Sequence, residues 1–311
     1  MSEHFQSYHQ PVLLSEVTSY LVTNPEGIYV DGTLGGGGHA ENILQNLDKN
    51  ARYIGLDRDA EAIRFTKKRL KRFKNISIHQ KNFVDFDQVL TEIHIKQIDG
   101  ILLDLGLSSF QIDTEQRGFS YMKNTTLDMR MDQNSSVTAG DLLNTLDENA
   151  LSTIFYTYGE ERKSRQIARK IVNYRRKEKI TRSDQLRHII DTVIHSRMAV
   201  KSYARVFQSL RIAVNQELEN LEQTLEKSMD TIKPGGRWVI ISYHSLEDRI
   251  VKNFFKTKAE PCICPEEFPR CVCNKTAEIK LITKKALMVS EDEIESNPRA
   301  RSARLRVGEK I

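Results

Sequence analysis

Cysteine is scarce in this chain: four residues among 311, all between positions 262 and 273. Four cysteines so placed are not a disulfide framework. Proline (7) and glycine (15) are too few for a collagen-like, low-complexity or disordered chain. Long apolar runs are missing too; none approaches the ~18–20 residues that cross a bilayer, so no membrane partner is expected. Residues 1–10 are polar and lack the apolar core of a secretory signal. Neither sign of charge dominates, with 47 Lys+Arg against 42 Asp+Glu and a net charge of +5. A sum that small is only a weak hint of an anionic partner. These absences leave a soluble, cytoplasmic protein, with length for one large domain or two ordinary ones.

What is present is a regular alternation. Short apolar runs at 27–31, 52–57, 75–79 and 98–105 read as strands, and stretches at 39–47, 59–72 and 86–94 read as helices. Strands alternating with helices predict a parallel sheet covered on both faces. From about 110 to 200 no good strand occurs, and helical stretches near 138–146, 147–158, 162–178 and 183–196 replace the alternation. The pattern then resumes with one long helix over 206–232, stopped by Pro234-Gly235-Gly236, followed by a strand at 237–242, a helix at 246–255 and final strands at 280–283 and 304–307. The expectation is an α/β doubly wound core in two pieces, 1–109 and 201–311, interrupted by a helical insertion over 110–200.

The densest local signal is Asp31-Gly32-Thr33-Leu34-Gly35-Gly36-Gly37-Gly38-His39, between the first strand and the first helix of the alternation. Glycines there let the chain turn sharply and let a ligand approach main-chain N–H groups at a helix start. Asp57 ends the next strand, where an acid accepts hydrogen bonds from a ribose. Together they indicate an adenosine-containing cofactor. Gly35, Gly37 and Ala40 match the dinucleotide pattern literally, which keeps a nicotinamide dehydrogenase open. Asp31 argues against it, because an acid beside a pyrophosphate is repulsive and suits a ligand with a cationic amino-acid group. Asn82-Phe83-Val84-Asp85 after the third strand suits an adenine ring. Pro234-Gly235-Gly236 ahead of the fifth strand is familiar from S-adenosylmethionine-dependent enzymes of the Rossmann-like class.

Longer segments carry a specific resemblance. They are His9 to Leu14, the glycine loop, Gly55 to Asp59, Asp104 to Ser109, Asp128 to Asp132, Phe207 to Asn215, Tyr243 to Arg249 and Asn297 to Ala303. With these the chain resembles the bacterial small-subunit ribosomal RNA methyltransferase H family, also called MraW. The resemblance implies a Rossmann-like class I methyltransferase with an inserted all-helical domain, with S-adenosylmethionine as cofactor. It implies methylation of N4 of one cytidine in the decoding centre of 16S ribosomal RNA, and the small ribosomal subunit as partner. It assigns Gly37, Gly38, His39, Asp57, Phe83, Asp104 and Gln111 to the cofactor, beside the Asp31 read from the loop itself. Where the family has Pro, this chain has Phe110, which frees the backbone ahead of Gln111. A non-catalytic RNA-binding factor retaining a cofactor pocket stays open, as does a monomer or a homodimer.

The chemistry singles out three residues. Cytosine's exocyclic amine is a poor nucleophile, because its lone pair is delocalised into the ring. Holding the nitrogen in line and accepting a hydrogen bond from it helps. Asp104, at the end of the fourth strand, is placed for that role, with a cofactor contact as the competing one. A base must leave its stack to react, and Tyr243 and His244 past the fifth strand are candidates for lining its pocket. Methylation at C5 would need a Cys nucleophile near the fourth strand, and the sequence has none there.

Two clusters lie outside these motifs. Residues 151–215 hold 15 Lys+Arg and 5 Asp+Glu, densest at Tyr174 to Lys179, and are read as a phosphate-tracking surface. Arg299, Arg301, Arg304 and Arg306 form a second basic run. Cys262, Cys264, Cys271 and Cys273 form two C-x-C pairs that could hold Zn²⁺. C-x-C is less typical of zinc than C-x₂-C, and the expectation is reduced cysteines packing a small turn, with no metal ligand assigned.

Overall fold

The structure is a computed structural model that describes residues 11–262, 264, 273 and 275–311. The first motif of the resemblance, His9 to Leu14, therefore lies partly outside the described residues, as does Cys271. The chain divides into two compact units, one drawn from Met1–Gly106 and Leu218–Ile311, the other Leu107–Glu217.

The first unit is a sheet between helices. Its elements are α1 (Leu14–Leu21), β1 (Ile28–Asp31), α2 (Gly38–Gln45), β2 (Arg52–Asp57), α3 (Ala60–Arg69), β3 (Ile76–Gln80), α4 (Phe86–Glu92) and β4 (Ile98–Asp104). The second unit follows, with α5 (Ser109–Asp113), α6 (Ala139–Thr145), α7 (Glu148–Thr157), α8 (Ser164–Arg175), α9 (Ser183–Asp191) and α10 (Ser196–Asn215). The chain then runs through α11 (Glu217–Thr231), β5 (Ile232–Ser242), α12 (Ser245–Ala259), β6 (Ile279–Leu281), β7 (Leu287–Met288), α13 (Glu291–Ser296) and β8 (Arg304–Lys310). The sheet order is β3-β2-β1-β4-β5-β8-β6, with β7 also paired to β8. β1 to β5 are parallel, and β8 is antiparallel to its neighbours. This is the expected Rossmann-like architecture with its helical insertion, and the carboxyl ends of β1, β2 and β4 carry the cofactor-type residues.

Strand alternation divides the core between two faces. Val30, Ile54, Leu103, Trp238 and Ile240 face α4, α11 and α12, whose Phe86, Leu225 and Phe255 cover them. Tyr29, Tyr53, Leu102, Val239 and Ile241 face α1, α2 and α3 through Leu21, Ile43 and Ile63. The single Trp, Trp238, is fully buried and donates its indole N–H to Ser228 Oγ at 2.6 Å, which satisfies the one polar atom it takes out of water.

Several elements depart from expectation. β5 begins at Ile232 rather than 237, so Pro234-Gly235-Gly236 lies inside the strand instead of ahead of it, and β7 was not expected. The long helix over 206–232 is two helices, broken at Gln216, whose φ is +51°. Asn215, the last residue of α10, is held by its side chain, which accepts from Met131 N and donates to Met129 O, each at 2.8 Å. Arg211 pairs with Glu217 across the break through two 2.9 Å bonds. These fixed contacts on either side compensate a left-handed residue inside a helical pattern.

The second unit has its own core, in which Leu151, Phe155, Ile167, Ile171, Leu186 and Leu210 are among the buried side chains. Its described residues contain no strand beyond an isolated bridge, Thr126 with Arg182.

Candidate active site

The glycine loop is built around two carboxylates. Asp31, on the last position of β1, is 1% exposed. One oxygen accepts from Thr33 N at 3.0 Å and the other from Tyr53 OH at 2.9 Å. Burial pushes its carboxyl up to about 6, against the pull of these two bonds. Asp57, ending β2, accepts from Gly35 N at 2.7 Å and Asp59 N at 2.8 Å. Burial raises it to about 6 as well. A carboxylate has about four lone-pair sites, so bracing the loop leaves Asp57 able to accept from a ribose too.

The loop needs its glycines where it turns. Gly35 and Gly37 have φ of +49° and +74°, and a Cβ on Gly37 would lie 2.8 Å from Thr66 Cγ2. α3 holds the loop from outside: Thr66 donates its hydroxyl to Gly35 O at 2.6 Å and Arg69 donates to Gly36 O at 3.0 Å. Gly32 lies so close to Phe83 and Leu103 that a Cβ would sit 2.7 Å and 2.6 Å from them. Phe83 thereby packs directly on the loop.

Asp104, at the end of β4, is the meeting point. Tyr243 donates its phenol to Asp104 Oδ1 at 2.9 Å, and His39 Nε2 lies 3.5 Å from Oδ2. The backbone N–H of Asp104 donates to Thr33 Oγ1 at 2.6 Å, tying β4 to the loop. Burial, then the Asp104 charge, pushes Tyr243 well above its ordinary value, so it remains a donor. His39, on the first turn of α2, is buried, and neither ring nitrogen makes a hydrogen bond among the described residues.

His244 is arranged differently. It is the N-cap of α12; its Nδ1 accepts from Glu247 N at 3.5 Å, and Nε2 lies 3.1 Å from Glu247 Oε1. Glu247 Oε2 in turn accepts from Tyr243 N at 2.9 Å. The imidazole is thus engaged by its own helix start.

The whole chain has relatives. A family model described as the MraW methylase family matches residues 6–311. The chain belongs to the MraW methylase family. It is 48% identical over 304 residues to a protein named Ribosomal RNA small subunit methyltransferase H from Caldicellulosiruptor saccharolyticus, covering 97% of this chain and 99% of that one. To the protein of the same name from Carboxydothermus hydrogenoformans it is 47% identical over 306 residues, covering 97% and 98%.

Of the residues singled out in this MraW-family sequence, Asp31, Gly37, Gly38, His39, Asp57, Phe83, Asp104, Tyr243 and His244 all belong to the first unit. There the glycine loop brings Asp31, Asp57 and Phe83 together, and Asp104 brings in His39 and Tyr243. Gln111 belongs to the second unit, where it closes a capping box with Ser108 through two 3.2 Å bonds. Sequence reading missed Tyr53, Thr33 and Thr66. Tyr53 looks like a core strand residue, and only the β1–β2 register, Tyr29 opposite Tyr53 and Asp31 opposite Gly55, puts its hydroxyl on Asp31.

In the second unit α8 buries Ser164, Ile167, Ala168 and Ile171. Arg162, Arg165, Arg169, Lys170, Arg176, Lys177 and Lys179 around it are exposed. Among the described residues few of them meet an opposite charge; Arg169 lies 3.2 Å from Glu148.

Proposed function

We propose that this protein transfers a methyl group from S-adenosylmethionine to N4 of a cytidine in small-subunit ribosomal RNA. The observation that carries the reading is Asp104, held between Tyr243 and His39 beside the glycine loop of an MraW-family chain. Two features of the residues fit this cofactor. Asp31 is a buried carboxyl met by a backbone N–H and a phenol, both neutral, so a cationic ammonium there would offset its desolvation. His39 is a buried imidazole on the first turn of α2 whose Nε2 faces Asp104, which leaves Nδ1 to accept or donate a hydrogen bond.

Bound S-adenosylmethionine supplies an electrophilic methyl group on a sulfonium centre. Asp31, Gly37, Gly38, His39, Asp57 and Phe83 hold it; for Gln111 the support is family resemblance alone. Asp104 accepts a hydrogen bond from the cytosine amine and takes its proton late, while Tyr243 fixes the carboxylate's orientation. Tyr243 and His244 line the place of the extruded base. The exposed cations of the second unit track phosphates, which positions the RNA without reading its sequence.

Labelled-methyl transfer to isolated small subunits and to naked ribosomal RNA, followed by mapping of the modified base, tests the reading. Label at a cytidine N4 is the expected result; label at another atom, or cofactor binding without transfer, overturns it. Asp104→Asn should lower turnover by roughly 10²–10⁴-fold, the usual range for a lost general base, with cofactor affinity changed little. Parallel loss of cofactor affinity would make Asp104 a cofactor contact only.

A further inference from the structure

Between α12 and β6 the chain makes an excursion that the packing of the sheet and its helices does not explain. α12 ends at Ala259 and β6 begins at Ile279, and the described residues between them form neither helix nor strand. The two ends of the excursion are tied, with Glu278 N donating to Lys258 O at 2.8 Å. Connections as long as 260–278 are uncommon in compact domains and need a source of order. The sequence from 260 to 278 offers few apolar side chains, chiefly Ile263, Phe268 and Val272, and three prolines. It does contain every cysteine of the chain.

Cys262, Cys264 and Cys273 place their Sγ atoms within 4.8 Å of one another. The Cys262 and Cys273 sulfurs are 3.8 Å apart. A disulfide holds its sulfurs at about 2.05 Å, so these two are not joined by one. A tetrahedral zinc with Zn–S bonds of about 2.3 Å separates its sulfur ligands by about 3.8 Å. Cys264 N also donates to Cys262 Sγ at 3.4 Å, the kind of N–H bond that supports a thiolate ligand. All three residues are half-buried, shielded yet reachable by an ion. Three sulfur donors select a soft or borderline cation over Mg²⁺ or Ca²⁺.

We propose that Cys262, Cys264 and Cys273 bind one structural Zn²⁺, which cross-links the excursion between α12 and β6. Thiolate ligation fixes both limbs of the segment at one point, the stabilisation a small core would otherwise provide. The less typical C-x-C spacing is accommodated because the ligands come from both limbs, Cys262 and Cys264 from one and Cys273 from the other.

The test uses the full chain, purified under reducing conditions without chelator. Elemental analysis should find about one zinc per chain, as a single tetrahedral site requires. The reduced apo-protein titrated with Co²⁺ should develop thiolate-to-metal charge-transfer absorption and tetrahedral d–d bands, both abolished by Zn²⁺. The Cys262→Ser/Cys273→Ser double variant should lose the zinc and the cobalt spectrum while still binding S-adenosylmethionine. Chelation of the wild type should make residues 260–278 the first site of proteolytic cleavage. A metal-free protein whose apo form gives no thiolate–cobalt spectrum overturns the proposal, as does zinc retained in full by the double variant. Should that variant fail to fold, the cobalt titration of wild-type protein and the single Cys264→Ser variant decide in the same way.

Discussion

Asp31 is held in a state that costs stability. Its carboxyl is raised to about 6 by burial, whereas an unfolded Asp titrates at 3.8. The folded form therefore binds the proton more tightly. The contribution of this group to stability is fullest below the unfolded value, declines as pH rises through the interval from 3.8 to about 6, and stays lost above it. A rise of that size corresponds to about 3 kcal/mol. Asp31→Asn keeps an acceptor for Thr33 N and removes the titration. Urea unfolding should show the variant gaining stability over wild type at pH 7 and losing that gain by pH 4, while isothermal titration shows weakened cofactor binding. Equal pH profiles for both proteins would disprove the assignment. Asp31 and Asp57 were legible in the sequence because an acid at a strand end beside glycines is a local pattern. Tyr53 and Thr33, which hold Asp31, were not, because their role depends on strand register and loop closure.

At the level of elements, α12 and the α2 loop invite opposite substitutions. The His244 cap makes a bond that other residues can make: His244→Ala should cost about 1 kcal/mol, and His244→Asn, a favoured N-cap, should recover most of it. Thermal unfolding reads the stability. If the Asn variant regains stability and methyl transfer together, the imidazole acts only as a cap; lost transfer at full stability assigns it to the base pocket. Gly37 has no such substitute. Gly37→Ala places a Cβ on a left-handed residue and 2.8 Å from Thr66, so about 1–3 kcal/mol and most cofactor affinity should be lost. β1 to β4, apolar and bounded by turn residues, were legible within a residue of each end, whereas β5 begins five residues early, at Ile232, and the two-residue β7 was not legible at all. The break at Gln216 was not, because the 206–232 periodicity runs through it and only the Asn215 and Arg211 contacts reveal it.

For the whole molecule, the net charge of +5 is a cancellation. Without residues 151–215 the chain carries 32 basic and 37 acidic residues, so an acidic remainder adjoins a +10 segment in the sequence. Reversing Arg165, Arg169 and Lys177 to Glu should weaken binding to the small subunit and flatten its salt dependence, leaving S-adenosylmethionine affinity unchanged. Filter binding across a salt series reads both, and an unaltered slope would count against the phosphate-tracking surface. The parallel, doubly wound α/β core was legible from alternation alone. The pairing of its last strands was not, because it joins residues far apart in sequence.

That pairing sets an order of synthesis. β8 lies between β5 and β6 although it follows both in the chain, and its Arg304 and Arg306 reach back to Asp248 on α12 at 2.9 and 2.6 Å. While the chain is still emerging, β5 has an unpaired edge and Asp248 lacks its cations. The half of the sheet that carries Tyr243 can close only after translation has passed Lys310. A nascent chain stalled before that point would expose a sticky strand edge.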